Sequence, residues 1–349
     1  MKKVTVPFFI SHQGCPHTCV FCDQRTISGA SGVLPTSEQI RDRINLWSST
    51  AGGRPLEVAF FGGTFTALPG EIQAELLAPL QPFLENGTLD SVRISTRPDS
   101  IDSGRVAWLK EMGVQTIELG VQSLDDAVLN ASGRGHTAAE SLNAIRCIKA
   151  SGLQAGAQLM PGLPGDTPAS SLAALEQVIA AGADFLRIYP AVVLKGTELA
   201  RRYAAGEFMP LSFERGVSLC KILLQRAMQD GIPVIRIGLQ ADQGLDTDHL
   251  LAGCWHPALG QLVRSGLYLD LISRFVQPGQ HVTVYCHPSR LSDVVGMKRS
   301  NLLSQASRGV RMKVVPDAAN DKDQLKVVTE ESSSIYSIIK DLHYSIHEV

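Results

Sequence analysis

Long apolar runs are absent from this sequence: nowhere do about 18 consecutive apolar residues occur, so no membrane-spanning helix and no membrane partner are expected. An excess of one charge is absent too. The 32 basic and 34 acidic residues leave a net charge of −2, which creates no global field that would draw in nucleic acid. There is no low-complexity segment, and with 44% hydrophobic and 19% charged residues the composition is not that of a disordered or fibrous chain. The N-terminal apolar run is cut short by Ser11-His12-Gln13 and no small-residue cleavage site follows, so no secretory leader is expected and the expected location is cytoplasmic.

What is present is the material of a large α/β protein. At 349 residues there is room for one barrel-type domain and a smaller appended one. Apolar and β-branched runs alternate with helical stretches of period 3.6 from Val4 to about Leu239, which argues for a parallel sheet wrapped by helices. The expected strands are Val4–Ile10, Glu57–Phe61, Ser91–Ser95, Thr116–Gly120, Leu153–Leu159 and Phe185–Tyr189, with a seventh at Val234–Leu239. Gly113, Gly152, Gly182 and Gly231 each close a helical stretch just before a strand. Thr36 with Gln39, and Thr137 with Glu140, have capping-box spacing, and Thr167 precedes Pro168 at a helix start. This is an α/β pattern, a partial or full (βα) barrel over residues 1–205.

Residues 206–349 lose the rhythm and read as an α+β extension. The expectation there is a helix Ser212–Met228, an irregular Gln240–Gly253, a helix near His256–Phe275 and a strand His281–Cys286. A helix around Val295–Ala306, a β-pair of Val310–Val315 with Gln324–Val328, and a last helix from Glu331 complete it.

Seven cysteines is an odd number, and three of them, Cys15, Cys19 and Cys22, lie within eight residues. In a reducing compartment such a cluster points to metal before disulfides. Cys147, Cys220, Cys254 and Cys286 are scattered and read as small buried apolar side chains; Cys254 and His256 form a Cys-Trp-His that reads as packing. The C-x3-C-x2-C loop follows the first strand, and three thiolates so close in sequence can sit on three irons of one cubane and leave the fourth iron open to the amino and carboxylate groups of a ligand. The alternative is a structural zinc with His12 or His17 as fourth ligand, which the lack of a second C-x2-C or of paired histidines disfavours.

Phe60-Phe61-Gly62-Gly63-Thr64 ends the second strand and bares backbone for close approach of a ligand. Other unusual residues fall at strand ends as well, where βα barrels place their working groups: Ser95-Thr96-Arg97-Pro98, Gly120-Val121-Gln122-Ser123, Gln158-Leu159-Met160-Pro161-Gly162 and Tyr189-Pro190-Ala191.

With Cys15, Cys19 and Cys22 at this spacing and the aromatic Phe21 before the third cysteine, the sequence resembles the radical S-adenosylmethionine (SAM) superfamily. The resemblance implies a 4Fe–4S cluster that passes one electron to SAM, scission of the C5′–S bond, and a 5′-deoxyadenosyl radical that takes hydrogen from a substrate. It further implies that Gly62, Gly63 and Thr64 bind the SAM amino group, with Phe21 and Pro190 among the SAM contacts. By likeness to oxygen-independent coproporphyrinogen oxidases, Gln122 is expected on the ribose hydroxyls and Arg134 on the SAM carboxylate, which its planar fork suits. Ser95 and Gln158 stand where that group has acidic residues, and Asp23-Gln24 where it has a further cysteine.

The stretches Ser95-Thr96-Arg97-Pro98-Asp99, Met160-Pro161-Gly162-Leu163-Pro164-Gly165 and Tyr189-Pro190-Ala191-Val192-Val193-Leu194 are similar to the barrel of the Elongator catalytic subunit and its short bacterial relatives. An RNA base is the substrate this implies; a small metabolite or a peptide, and a non-catalytic iron–sulfur or SAM-binding protein, are the alternatives. The implied partner is a one-electron reductant such as flavodoxin or ferredoxin. RNA contact is expected through residues 290–313, where Arg290, Lys298, Arg299, Arg308, Arg311 and Lys313 face only Asp293.

Overall fold

The computed structural model of the chain describes residues 3–24, 27, 29, 32–239 and 249–346. Seven parallel strands hydrogen-bond in one sheet: β1 (Val4–Phe9), β2 (Leu56–Phe61), β3 (Leu89–Thr96), β4 (Val114–Gln122), β5 (Gln154–Leu159) and β6 (Phe185–Ile188), then, after a short strand β7 (Val192–Leu194) that leaves the sheet, β8 (Val234–Ile237). Among the described residues no pairing joins β8 back to β1, so the sheet is a curled half-barrel. Its last strand lies beyond residue 205, inside the segment that the sequence assigns to the extension. Strands buried on both faces need near-continuous apolar runs, and β2 is buried along all but its last residue.

The helices form where their caps predict. Thr36 and Thr137 make reciprocal capping boxes with Gln39 and Glu140, and Thr167 does so with Ser170. At the helix-to-strand joints Gly113, Gly152, Gly182 and Gly231 all take positive φ, between 71° and 101°, the left-handed C′ conformation that glycine adopts cheaply. Ile145, Ile148, Leu175, Val178, Leu219 and Leu223 on the covering helices are fully shielded from solvent or nearly so.

The inner face of the sheet is charged. Glu57 on β2 accepts from Arg93 Nε on β3 at 2.9 Å, Arg93 Nη1 reaches Glu118 on β4 at 2.6 Å, and Glu118 takes Arg187 on β6 at 2.8 Å. The rings of Phe185 and Phe61 lie against Arg93 and Arg187 at 5.2 and 5.5 Å. Two buried carboxylates therefore alternate with two guanidinium groups across the half-barrel.

Beyond β8 the chain forms β9 (Leu250–Gly253), antiparallel to β7, and helix Leu259–Phe275. Of the segment expected to be irregular, residues 240–248 lie outside the described residues, and Leu250–Gly253 is a strand. A second sheet follows, made of β10 (His281–Cys286), β11 (Arg311–Pro316), β12 (Gln324–Val328) and β13 (Ser333–Ser337), in the order β11-β10-β12-β13.

Three expectations are corrected here. β11 and β12 do not pair with each other, because β10 sits between them, parallel to β11 and antiparallel to β12. The helix around Val295–Ala306 is two, Leu291–Val295 and Ser300–Ser307, broken at Gly296. The last helix from Glu331 is instead strand β13: Thr329 N–H donates to Ser332 O at 2.9 Å in a hairpin turn, and pairing with β12 decides the conformation of Ser333–Ser337. Acidic residues suited to a first helical turn there sit in the turn of a hairpin. Among the described residues no helix is long and apolar enough to cross a membrane.

The ladder inside the barrel yields a stability prediction. Replacing Glu118 by Gln leaves Arg93 with Glu57 alone and Arg187 with no carboxylate at ion-pair distance among the described residues, and removing one partner of a buried ion pair costs on the order of 3 kcal/mol. Urea unfolding of Glu118→Gln against wild type checks this; an unchanged midpoint would mean the ladder adds nothing.

Candidate functional site

The cysteine loop is built against the end of β2. Ile10 N–H continues the sheet to Phe61 O at 2.8 Å, His12 N–H donates to Gly62 O at 2.9 Å, and Thr64 N–H returns to Gln13 O at 2.9 Å. Gly62 has φ 86°, and a Cβ on Gly63 would stand 2.5 Å from both Ile10 O and Gln13 O. Only glycine allows that approach. From the other side, a Cβ on Gly14 would stand 2.3 Å from Thr64 O. The two loops thus interlock through bare backbone, and Cys15 Sγ lies 3.3 Å from Thr64 Oγ1.

Cys19 is buried, and its sulfur receives Arg134 Nη1 at 3.2 Å. The other arm of Arg134 donates to Gly120 O at 2.6 Å, at the end of β4, while its Nε is buried without a partner. Arg134 reaches this place because Val20 N–H bonds Ser132 O at 3.1 Å, which ties the cysteine loop to the loop after helix Asp126–Ala131. Phe21 packs in an apolar cluster with Met160, Leu163, Ala191 and Phe208.

Cys22 completes the trio. Burial, then the neighbouring Cys19 and Cys15, push its thiol up to about 12, and Arg134 pulls the other way. A metal's positive charge reverses that logic. No group of three or more His, Cys, Asp or Glu among the described residues is arranged around a single ion, whereas the ligands of a cubane sit on separate irons and need not converge on one point. His12 Nε2 accepts from Gln24 N–H at 2.9 Å, and the His17 ring covers Gly135, where a Cβ would stand 2.5 Å from it. Both histidines have neighbours other than the sulfurs, and the donor set fits an iron–sulfur cluster better than zinc.

The strand ends supply the rest of the mouth. Gln122 takes φ 69° at an irregularity in the β4–β5 pairing, an uncommon conformation for a residue with a side chain, and Gln158 Nε2 donates to its Oε1 at 3.3 Å. Ser95, half-buried, pairs with Glu118 in the β3–β4 register. Pro190 is buried between Tyr189, whose N–H bonds Leu159 O, and Ala191, whose N–H bonds Pro161 O. Thr64 and Cys15, Arg134 and Cys19, and Gln122 and Gln158 are therefore brought into contact, while Ser95 and Pro190 share the mouth without touching the cysteine loop through any hydrogen bond described.

Two further residues lie at the mouth: Tyr189, which the sequence offered only as part of a strand end, and His136, which it left open between the site and a turn. Tyr189 packs against the apolar cluster that holds Cys19 and Phe21, and its hydroxyl accepts from Arg187 Nη1 at 3.0 Å. Its inward direction follows from two-residue alternation with Arg187. His136 is buried, with Nε2 3.2 Å from Val121 O; burial first, then Arg134 and Arg97, lower its pKa to about 3. The ring is neutral at pH 7, so Nε2 carries the proton it shares with that carbonyl, and Nδ1 is left buried without a partner. The other cysteines behave as the sequence suggests: Cys220, Cys254 and Cys286 are buried and Cys147 is half-buried.

Residues 9–178 match the radical SAM superfamily and residues 183–268 the radical SAM C-terminal domain. The two matches cover well over half of the chain, which belongs to the radical SAM superfamily, a family of enzymes that use a 4Fe–4S cluster and SAM. Among its relatives are protein MJ0486 of Methanocaldococcus jannaschii, 28% identical over 63% of this chain and 74% of that one, and the tRNA uridine(34) acetyltransferase of the same organism, 27% identical over 61% of this chain and 47% of that one. The chain thus spans less than half of the acetyltransferase. Elp3 of Methanocaldococcus infernus, solved with its N-terminus (1–46) deleted, superposes with a TM-score of 0.61 at 24% identity, over 75% of this chain and 62% of that one, a likeness of fold.

Two measurements test the site. Gly63→Ala drives a methyl into two carbonyls, so the purified protein is expected to lose at least half of its iron and the cluster's visible absorption while far-ultraviolet circular dichroism stays as in wild type; retained iron would show that the interlock is dispensable. His136 is held neutral in the fold but takes a proton near pH 6.5 when unfolded, so its contribution to stability is complete above that pH and is lost as the pH falls toward 3. Across that window wild type is expected to lose stability faster than His136→Gln, by up to about 1.4 kcal/mol per pH unit, and equal slopes would contradict the buried neutral ring.

Proposed function

We propose that Cys15, Cys19 and Cys22 hold the cluster of a SAM-cleaving radical enzyme whose substrate is an RNA base. The observation that carries the assignment is Arg134, a buried guanidinium set between Cys19 Sγ and Gly120 O, with an idle Nε and no carboxylate at ion-pair distance among the described residues. A carboxylate brought next to the cluster satisfies it, and two parallel bonds from one fork fix the carboxylate's orientation. When bound, the cluster would supply one electron to SAM, whose C5′–S bond would break to leave methionine and a 5′-deoxyadenosyl radical.

Each residue of the mouth has a corresponding task. The backbone of Gly62, Gly63 and Thr64 receives the amino group. Gln122 and Gln158, already joined, turn their remaining amide groups to the ribose hydroxyls, and Ser95 lies on the same inward side. Phe21 and Pro190 wall the nucleoside and exclude water, which protects a reactive radical from side reactions. The electron comes from a small carrier of the flavodoxin or ferredoxin kind.

The RNA reading rests on relatives that act on tRNA and on the basic segment. Arg308 is occupied by Ser273 O and Val276 O, and Arg290 by Asp293. Lys298, Arg299, Arg311 and Lys313 stay exposed, the first two on successive residues with φ of 52° and 64° and the others on strand β11. Phosphate binding by such residues gives affinity that falls with salt.

The test is anaerobic reconstitution followed by dithionite and SAM. Wild type is expected to release 5′-deoxyadenosine, and substitution of any of the three cysteines by Ala to abolish it. Bulk tRNA is expected to speed the release more than a metabolite extract does, and charge reversal at Lys298, Arg299, Arg311 and Lys313 to remove that stimulation. Absence of deoxyadenosine from a fully iron-loaded protein overturns the enzyme reading; stimulation by metabolites alone overturns only the RNA substrate.

A further inference from the structure

A cavity of about 280 Å³ opens where the half-barrel meets the C-terminal sheet. Gly231-Ile232-Pro233, the turn that leads into the N-terminal end of β8, forms one wall. The cysteine loop and Arg134 sit at the opposite, C-terminal ends of the strands, so the cavity is separate from the radical site. Helix Leu259–Phe275 contributes Arg264 and Leu267, the turn after β10 contributes Arg290, and the segments flanking β12 and β13 contribute Lys322 and Ile338.

The charge in this cavity is not balanced. Arg290 Nη1 takes Asp293 at 3.3 Å. Arg264, half-buried, has no carboxylate at ion-pair distance among the described residues and makes only a 3.5 Å bond to Gly260 O of its own helix. Burial, then the facing Arg290, lower its pKa, against a smaller opposite pull from Asp293 and Tyr268. The acidic residue on the wall, Asp323, is engaged by the Ser337 hydroxyl at 2.5 Å, and Tyr268 donates its hydroxyl to Lys322 O. Two guanidinium groups and the Lys322 ammonium thus face two carboxylates, Asp293 and Asp323, which leaves one positive charge in excess, and a half-buried cation without a carboxylate at ion-pair distance is costly to the empty fold.

We propose that this cavity is a second ligand site for a small amphipathic oxyanion, a carboxylate or phosphate monoester with an apolar body. Its charged end lies between Arg264 and Arg290, and its body rests on Ile232, Leu267 and Ile338. The volume is near the lower end of ordinary small-ligand sites, and an apolar wall with a few converging polar groups is their usual make-up. Because the walls come from both the last βα unit and the C-terminal sheet, the bound anion ties the two together without touching the reacting atoms.

Calorimetry and thermal unfolding on the reconstituted chain test this with phenyl phosphate, benzoate, inorganic phosphate and phenol as probes. Phenyl phosphate, benzoate or both are expected to bind at one site and raise the midpoint, with phosphate and phenol at least tenfold weaker; whichever organic anion binds names the head group. Arg264→Gln is expected to bind at least tenfold more weakly while the unliganded protein stays as stable as wild type or becomes more so, since an unpaired cation has been removed. Leu267→Trp, which fills the apolar half, is expected to lose binding, and both variants should keep wild-type SAM binding. No saturable binding of either organic anion, equal binding by Arg264→Gln, or a lower midpoint for unliganded Arg264→Gln overturns the site. Inorganic phosphate binding as tightly as phenyl phosphate overturns its amphipathic character.

Discussion

Gly63 stands within Cβ distance of the carbonyls of Ile10 and Gln13, and the placement of the three sulfurs depends on that approach. The loop from Ile10 to Cys22 has little regular structure of its own; it takes its shape from bonds to Phe61 O, Gly62 O and Ser132 O. Backbone groups that would otherwise be buried and unsatisfied find partners there. The end of β2 is both the edge proposed to meet the SAM amino group and the mould of the cysteine loop, and Thr64 serves both by touching Cys15.

Beneath the mouth, the ladder from Glu57 through Arg93 and Glu118 to Arg187 fills the inside of the half-barrel with paired charge instead of the branched apolar layers of a closed barrel. The paired charges make the inner face polar, and Tyr189 continues the chain of contacts to the mouth through Arg187. Among the described residues no strand bridges β1 and β8.

The C-terminal sheet matters to both proposals through what it leaves exposed and what it encloses. The basic residues that look continuous in sequence separate in space: Arg308 braces helix Leu259–Phe275 through its carbonyls, Arg290 turns inward to Asp293 and the cavity, and four others remain on the surface. A charge count along the chain cannot divide them, since salt-bridge partners such as Asp293 and backbone acceptors such as Val276 O are chosen by packing.

The three cysteines, the glycine pair, the capped helices and the strand rhythm were readable without coordinates, because thiol chemistry, glycine's conformational freedom and capping act over a few residues. The half-open barrel, the pairing of β10 between β11 and β12, the strand in place of a helix after Glu331, and the roles of Tyr189 and His136 were not. Those depend on hydrogen bonds and charges between residues distant in the chain, such as Arg134 with Cys19 or Arg187 with Glu118, and such partners are assigned only when the sheet closes around them. By itself, then, the sequence determined the family motif and the local elements that carry it, while the tertiary structure alone decided which of the candidate groups meet, since contact across 100 residues is a matter of packing and not of local propensity.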